Sequence, residues 1–169
     1  MEETMQINNF KEMYFAELSE LHSVEKQLVE ALGKMAAAAA HDGLRQAFLK
    51  HREETEAQRD RVRAILDRHG VNPDMHVDQS MVRLVDESEK MKSILANPDL
   101  ADAGLIASAQ RIEHYEIAVY GTVATYADLL ELPEDRQVLH QILEEEKATD
   151  AKLTMLATQV VNRDALKAA

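Results

Sequence analysis

The sequence contains no cysteine, which excludes disulfides, thiolate metal sites and cysteine nucleophiles. The N-terminus lacks a basic and apolar leader, and no apolar run approaches the roughly 18 residues of a membrane span. Together with the missing cysteines, which fit a reducing compartment, these absences predict a cytoplasmic protein. Only 5 glycines and 3 prolines occur, too few for a turn-rich β fold, and this scarcity favours long helices.

Basic residues are also scarce relative to acidic ones. The 19 lysines and arginines stand against 31 aspartates and glutamates, which gives a formal net charge of −12. Phosphate backbones and anionic lipids would repel such a chain, so we expect neither a nucleic-acid nor a membrane partner. With 46% hydrophobic residues and no low-complexity linker, the 169 residues predict one domain spanning 1–169.

Apolar residues recur at steps of three and four along four long segments and one shorter one, which is the spacing of one face of a helix. The helices are predicted from an N-cap at Asn8 or Asn9 through the alanines at 36–40, from Leu44 to His69, from Asp78 to Ala96, from Leu100 to Leu130, and from Glu134 to Asn162. Residues 41–43 and 132–135 are predicted to be tight connections, and Gly70 a C-terminal cap.

The lengths of the connections indicate a topology. Short links join the first long helix to the second and the third to the fourth, so each pair should be antiparallel. About 30 residues, including the short helix, separate the two pairs. One long crossover is the ferritin-like arrangement rather than a simple up-down-up-down bundle. The predicted fold is therefore all-α, a ferritin-like four-helix bundle with one long crossover that contains a short extra helix.

Each long helix places polar residues on its core-facing stripe, near the middle of the helix. They are Glu25 in the first, His51, Glu54 and Gln58 in the second, Glu113 and Glu116 in the third, and Glu146 and Asp150 in the fourth. Antiparallel pairing would bring these residues to one layer. Buried acids without a cationic partner repel one another, and bound cations are the simplest compensation. An oxygen-rich set with an imidazole suits iron, manganese or zinc, and two divalent ions would offset about four charges.

Two readings without a metal compete with this one: a buried hydrogen-bonded network, or a stripe drawn one position off. Three further residues lie near the predicted layer. His22 is three residues before Glu25 and within possible reach of it. His114 should point about 100° away from Glu113, which favours a supporting or surface role. Tyr120 is one turn beyond Glu116, where it would border a metal pocket or pack in the core.

Four segments resemble the YciE/YciF-like proteins, a ferritin-like family of bacterial stress proteins: ELHSVEKQLVEALGKMA, FLKHREETEAQRDRV, RIEHYEIAVYGTV and EEEKATDAKLTMLA. The resemblance extends from about Asn9 to Val161. It implies a rubrerythrin-like bundle, commonly dimeric, with a di-iron or related dinuclear centre and a link to osmotic and other stress. The ligands it implies are Glu25, His51, Glu54, Glu113, Glu116 and Glu146, with Asp150 as the next candidate.

The sequence departs from the usual ferritin-like ligand pattern, which takes a Glu-x-x-His motif from each of two helices. Here the second helix has His51 and Glu54 in the reverse order, and Glu146 is followed three residues later by Thr149. The predicted site is therefore poorer in histidine than the usual pattern.

The leading functional hypothesis is a cytoplasmic, homodimeric oxidoreductase that handles oxygen or peroxide with two transition-metal ions. Iron is the first candidate and manganese the second. In this hypothesis Glu54 and Glu146 bridge the two metals, and Glu25 and Glu113 are terminal ligands. Glu116 is either a bridging or a terminal ligand. His51 completes the coordination sphere of one metal. Two alternatives stay open: a metal-binding or storage protein without turnover, and a metal-free structural bundle that acts through partners.

Overall fold

In the computed structural model, which describes residues 6–168, the chain is helical apart from its short connections. The elements are α1 (Phe10–Ala38), α2 (Asp42–Arg68), α3 (Gln79–Ile94), α4 (Pro98–Leu129), α5 (Pro133–Leu156), a π-helical turn (Ala157–Val161) and α6 (Asn162–Lys167). Within this described part no strand forms, which confirms the all-α prediction. None of its helices is long and apolar enough to cross a membrane.

The N-terminal ends of three helices follow from their capping residues. The Asn9 side chain accepts a hydrogen bond from the backbone N–H of Glu12 at 2.9 Å, and the Glu12 carboxylate accepts one from the N–H of Asn8 at 2.8 Å. These bonds satisfy donors that the first turn of a helix leaves free. Asp78 and Asn97 cap α3 and α4 in the same way. The prediction of an N-cap at Asn8 or Asn9 is confirmed at Asn9.

Several helix ends lie one or two residues from their predicted positions, and three differences have a clear structural cause. The second helix begins at Asp42 rather than Leu44, because His41 accepts a hydrogen bond from the N–H of Leu44 at 3.3 Å and caps it. α4 begins at Pro98, whose fixed φ suits a first helical position. The last long helix does not continue unchanged to Asn162, since it widens into a π-helical turn at Ala157–Val161 before α6.

The C-terminal ends of α2 and α4 close in the same way. Gly70 has φ 68°, and the N–H groups of Gly70 and Val71 donate to the carbonyls of Asp67 and Leu66. This is the Schellman arrangement, in which a left-handed residue lets the chain satisfy the last carbonyls. At the end of α4 the left-handed residue is Glu131, with φ 56°. It is the one non-glycine residue with positive φ among those described.

The four long helices form a closed square in which every neighbouring pair is antiparallel. α1 packs against α2 and α4, and α5 packs against α4 and α2. The ring of Phe10, at the start of α1, lies 4.7 Å from that of Tyr126, near the end of α4. Arg68, at the end of α2, donates to Asp135, at the start of α5. α2 and α4 are therefore parallel across the diagonal, and the crossover that contains α3 joins them, as predicted.

The crossover also covers one side of the bundle. α3 packs against α4 and α1, so it lies over the seam between them. Before α3, the Pro73 carbonyl accepts a hydrogen bond from Ser19 at 3.1 Å, and the Asp78 N–H donates to Ser23 at 3.2 Å. These contacts hold the crossover along α1. The seam between α2 and α5 carries no such cover within residues 6–168.

The buried apolar residues form one connected cluster that runs the length of the bundle. Leu18, Phe48 and Leu139 are examples, each with no more than 1% of its surface exposed. Fully burying one such side chain stabilises the fold by about 1.5–3 kcal/mol. In α1, Glu25 lies between the buried Leu21 and Leu28, so a charged side chain interrupts the apolar stripe at mid-helix. Polar residues on three other helices meet it there.

Candidate metal centre

Four buried side chains from three helices converge in the middle of the bundle: His51 from α2, Glu113 and Glu116 from α4, and Glu146 from α5. One ligand atom of each lies within 4.8 Å of one from every other member. α4 supplies two of the four because residues three apart lie on the same helical face. We refer to these four residues as the carboxylate cluster.

Glu25 lies beside the carboxylate cluster and contributes a further acid from α1. Its side chain is fully buried, and the Tyr120 hydroxyl donates to its Oε1. Burial, and then the nearby Glu146 carboxylate, raise the pKa of Glu25 well above its ordinary value. Burial and the Glu25 carboxylate likewise raise the pKa of Tyr120, which keeps its proton for this hydrogen bond. Tyr120 thus packs in the core, as one of its two predicted roles has it, and its hydroxyl lies beside the carboxylate cluster.

The protein itself leaves most of these polar atoms without partners. Of the eight carboxylate oxygens on Glu25, Glu113, Glu116 and Glu146, only Oε1 of Glu25 accepts a hydrogen bond from a hydroxyl or N–H group by the usual geometric criteria. The Glu113 and Glu146 carboxyl groups lie close enough to share a proton. Neither ring nitrogen of His51 makes a hydrogen bond, although its Nε2 lies 2.7 Å from Oε1 of Glu113. A buried polar group without a partner costs about 1–3 kcal/mol, and a charged one costs more. As metal ligands, these carboxylate oxygens and the imidazole nitrogen suit a cation that prefers oxygen together with some nitrogen.

Burial also controls the protonation of these residues. It raises the pKa of Glu113 from 4.5 to about 8, and it raises those of Glu116 and Glu146 well above 4.5 with further repulsion from neighbouring carboxylates. Burial lowers the pKa of His51. Near neutral pH, and without a cation, the cluster therefore holds protons on its acids while the imidazole is uncharged. Metal binding would have to displace those protons.

Glu54 does not occupy the core position that the sequence predicted. Its side chain is 35% exposed and lies 3.9 Å from the Lys50 ammonium, whereas Thr55 is fully buried. At ~100° per residue, Glu54 lies about 80° from the centre of the buried stripe of α2. Thr55 fits the core because its hydroxyl donates to the His51 carbonyl at 2.9 Å. The predicted stripe is therefore one position off here, and Glu54 lies at the rim of the site.

Asp150 shows the same one-position error in α5. Its side chain is 20% exposed, and Thr149 is the buried residue. The Asp150 carboxylate accepts from Gln110 at 3.2 Å and lies 3.3 Å from Nε2 of the exposed His114. The placement of Glu54 and Asp150 in the core is thus corrected. Their roles as metal ligands stay predictions.

Of the other polar residues considered from the sequence, His22 lies away from the carboxylate cluster, whereas Gln58 borders it beside Glu146. His22 is buried against the crossover, with its Nδ1 3.1 Å from the Pro73 carbonyl oxygen. Gln58 is buried and donates to Glu145 at 3.1 Å, and Arg61 also bonds Glu145. The pairing of Arg61 with Glu145 across α2 and α5 was missed from the sequence, because neither residue lies on an apolar stripe.

Comparisons with known proteins agree with this architecture. Residues 9–166 match the family described as a domain of unknown function, DUF892. Protein YciF of Escherichia coli K12 is 38% identical over 165 residues, which covers 95% of this chain and 98% of YciF. The crystal structure of the E. coli stress protein YciF superposes with a TM-score of 0.87 at 40% identity, over 92% of this chain and 99% of that one.

Two further solved structures share the fold. YcfI from Rhodopseudomonas palustris has a TM-score of 0.86 at 30% identity, covering 89% of this chain and 96% of its own. A protein from Xanthomonas campestris pv. campestris has a TM-score of 0.74 at 18% identity, covering 94% and 98%, and this likeness concerns the fold alone. The resemblance stated from the four sequence segments is confirmed. The chain therefore belongs to the DUF892 family, whose YciF-like stress proteins share its ferritin-like fold.

Proposed function

We propose that this chain is a metal-dependent stress protein that holds two transition-metal ions at the carboxylate cluster and reacts with oxygen or peroxide. The observation that carries the proposal is the set of unpaired buried oxygens on Glu25, Glu113, Glu116 and Glu146. Shared protons satisfy part of this set in the metal-free protein, whereas a bound cation would pair with ionised oxygens from all of these side chains.

The residues present fit such a centre. The carboxylate cluster supplies three acids and one imidazole close enough together to hold one ion. Glu25 is the nearest additional acid for a second ion, with Glu54 and Asp150 as further candidates at the rim. Four ionised glutamates balance two divalent charges. Carboxylate-rich sites with imidazole suit iron or manganese, and iron is our first choice.

Transition-metal ions bound in this way supply the redox chemistry toward oxygen or peroxide. The side chains of the chain itself hold charge and exclude water. Tyr120 fixes the orientation of Glu25 by donating to Oε1. The lowered pKa of His51 keeps its imidazole neutral and able to donate a lone pair. The apolar layers on either side, for example Leu21 and Leu28, limit the access of bulk water.

The biological setting is part of the same proposal. E. coli YciF is described as a stress protein, and this likeness supports a role in a stress response. We propose that the protein works in the cytoplasm as a homodimer, with metal ions and a small oxidant as its ligands.

Elemental analysis tests the proposal directly. Protein purified without chelators, from cells supplied with iron and manganese, should carry near two transition-metal ions per chain, as a two-metal centre predicts. Glu146→Gln should lower that content and remove any metal-dependent rise in melting temperature. Glu145→Gln, at the neighbouring half-exposed position bonded to Arg61, is the matched control and should keep both. A parent protein that takes up no metal on reconstitution would contradict the proposal.

A further inference from the structure

The four seams of the helical square differ in how well they are closed. α3 covers the seam between α1 and α4. The seam between α4 and α5 is bridged by Gln110, which donates to Asp150 at 3.2 Å and to Thr154 at 2.8 Å. α1 and α2 are joined by the short turn after Ala38 and pack along their length. No helix covers the seam between α2 and α5 in the described chain. Side-chain bridges cross it, from Gln58 and Arg61 to Glu145 and from Arg68 to Asp135, but pockets remain open beside the bridges to Glu145.

The α2–α5 seam contains a small pocket whose wall includes His51. The pocket has a volume of about 40 Å³, and Ala47, Glu54, Thr149 and Lys152 are among its lining residues. A second, larger depression of about 340 Å³ adjoins it and shares Glu54 and Lys152. Alanine and threonine at these positions leave space that larger apolar side chains would fill. A volume of this size admits a water molecule or a similarly small species.

His51 connects this pocket to the carboxylate cluster. Its ring forms part of the pocket wall, and its Nε2 lies 2.7 Å from Oε1 of Glu113, on the inner side. One imidazole thus separates the seam from the buried acids. Glu54 is 35% exposed at the mouth and is the one acid among the residues that line the 40 Å³ pocket, where the ammonium groups of Lys50 and Lys152 are also found. Its position outside the core, which the sequence analysis did not predict, suits a group that meets an incoming cation.

We propose that the α2–α5 seam is the entrance to the metal centre, that Glu54 receives the incoming ion, and that the ion passes the His51 ring to reach Glu113. This inference rests on the proposed metal-binding function. It adds a route and a size limit: the centre is open to single ions and to oxidants of a few atoms, such as dioxygen and hydrogen peroxide. Bulky organic hydroperoxides are too large for the pocket.

Single cysteines provide a reversible block, because the natural chain has none to react. Thr149→Cys places a thiol in the α2–α5 pocket, and Thr154→Cys places one on the same helix at the α4–α5 seam. Each variant is labelled with a bulky methanethiosulfonate reagent and mixed with Mn²⁺ in a stopped-flow instrument, and a metal-sensitive dye reports the free ion. Ala47→Cys, across the seam from Thr149, repeats the test if Thr149→Cys folds poorly.

Labelling Thr149→Cys should slow Mn²⁺ uptake at least about tenfold, because loading must then wait for local opening of the bundle. The final occupancy should be unchanged, and reduction of the label should restore the rate. Labelled Thr154→Cys should load at the parent rate. Glu54→Gln should slow loading by about two- to tenfold through lost electrostatic attraction. Glu53→Gln, one residue away on the exposed face, should have no effect.

The outcomes separate this inference from the proposed function. A parent that binds Mn²⁺ while labelled Thr149→Cys and Ala47→Cys load at the parent rate would overturn the entrance and leave the metal centre intact. Slowing confined to labelled Thr154→Cys would move the entrance to the α4–α5 seam and also overturn it. A parent that takes up no metal ion would overturn both.

Discussion

Replacing Glu113 with glutamine should make the metal-free protein more stable at alkaline pH. Burial raises the pKa of Glu113 from 4.5 to about 8. Between these two values the unfolded chain has released the proton that the folded chain retains. The contribution of Glu113 to stability is therefore complete below pH 4.5 and is lost as the pH rises through 8. Glutamine carries no such proton, so Glu113→Gln escapes this loss.

The size of the effect follows from the same shift. One pKa unit corresponds to ~1.4 kcal/mol, so a rise from 4.5 to about 8 is equivalent to about 5 kcal/mol for an isolated site. Because neighbouring carboxylates share protons, we expect the measured difference to be smaller, on the order of 2–4 kcal/mol. Such a change is a large fraction of the stability of a typical domain.

Urea unfolding of chelator-treated protein at pH 5 and pH 8.5 measures this difference. The parent and Glu113→Gln should have similar free energies of unfolding at pH 5, and the variant should be the more stable at pH 8.5. Glu145→Gln serves as control, because Glu145 bonds Arg61 near the surface. It should cost about 1 kcal/mol or less at both pH values. Equal pH dependence in the parent and Glu113→Gln would refute the reasoning, since Glu113 would then ionise without penalty.

Three further variants test other parts of the structure. Tyr120→Phe removes the hydroxyl that donates a hydrogen bond to Glu25. Calorimetric titration should show an affinity for Mn²⁺ or Fe²⁺ that is about 10–100-fold weaker. An unchanged affinity would exclude Glu25 from the centre. Glu131→Gly relieves a non-glycine residue at φ 56° and should raise the free energy of unfolding by about 1 kcal/mol in chemical denaturation. Asn9→Ala removes the cap of α1 and should lower that free energy by ~1 kcal/mol, and a change near zero would mean that water replaces the cap.

Much of the fold was predictable because its signals are local. Asn9 caps α1, and Gly70 adopts the left-handed conformation that ends α2. The antiparallel pairs and the single crossover follow from the lengths of the connections. The π-helical turn at Ala157–Val161 was not predictable, since helical spacing carries no mark of one extra residue in a turn. Glu131 in a left-handed conformation was equally hidden, because nothing in its side chain favours that conformation.

The candidate site divides in a similar way. Glu25, Glu113, Glu116 and Glu146 lie in the buried layer because each is flanked at three or four residues by buried positions of its own helix. Glu54 and Asp150 lie at the rim. Their positions were predicted wrongly because a helical stripe can advance by three or by four residues, so each next core position is uncertain by one residue. The burial of a neighbouring threonine decides between the two positions. That burial depends on how the helix is rotated against its partner, which one sequence does not reveal.

Under the proposed function, the arrangement of the four long helices also determines when the metal ligands can come together. Glu25 and His51 lie on the first hairpin, and the remaining acids of the buried layer lie on the second. During synthesis the first hairpin emerges alone, with its polar residues facing an unfinished core. Glu146 on α5 arrives last, so a nascent chain that ends within α4 has only part of the ligand set. Metal capture would therefore have to wait for α5 and would mark the docking of the two hairpins.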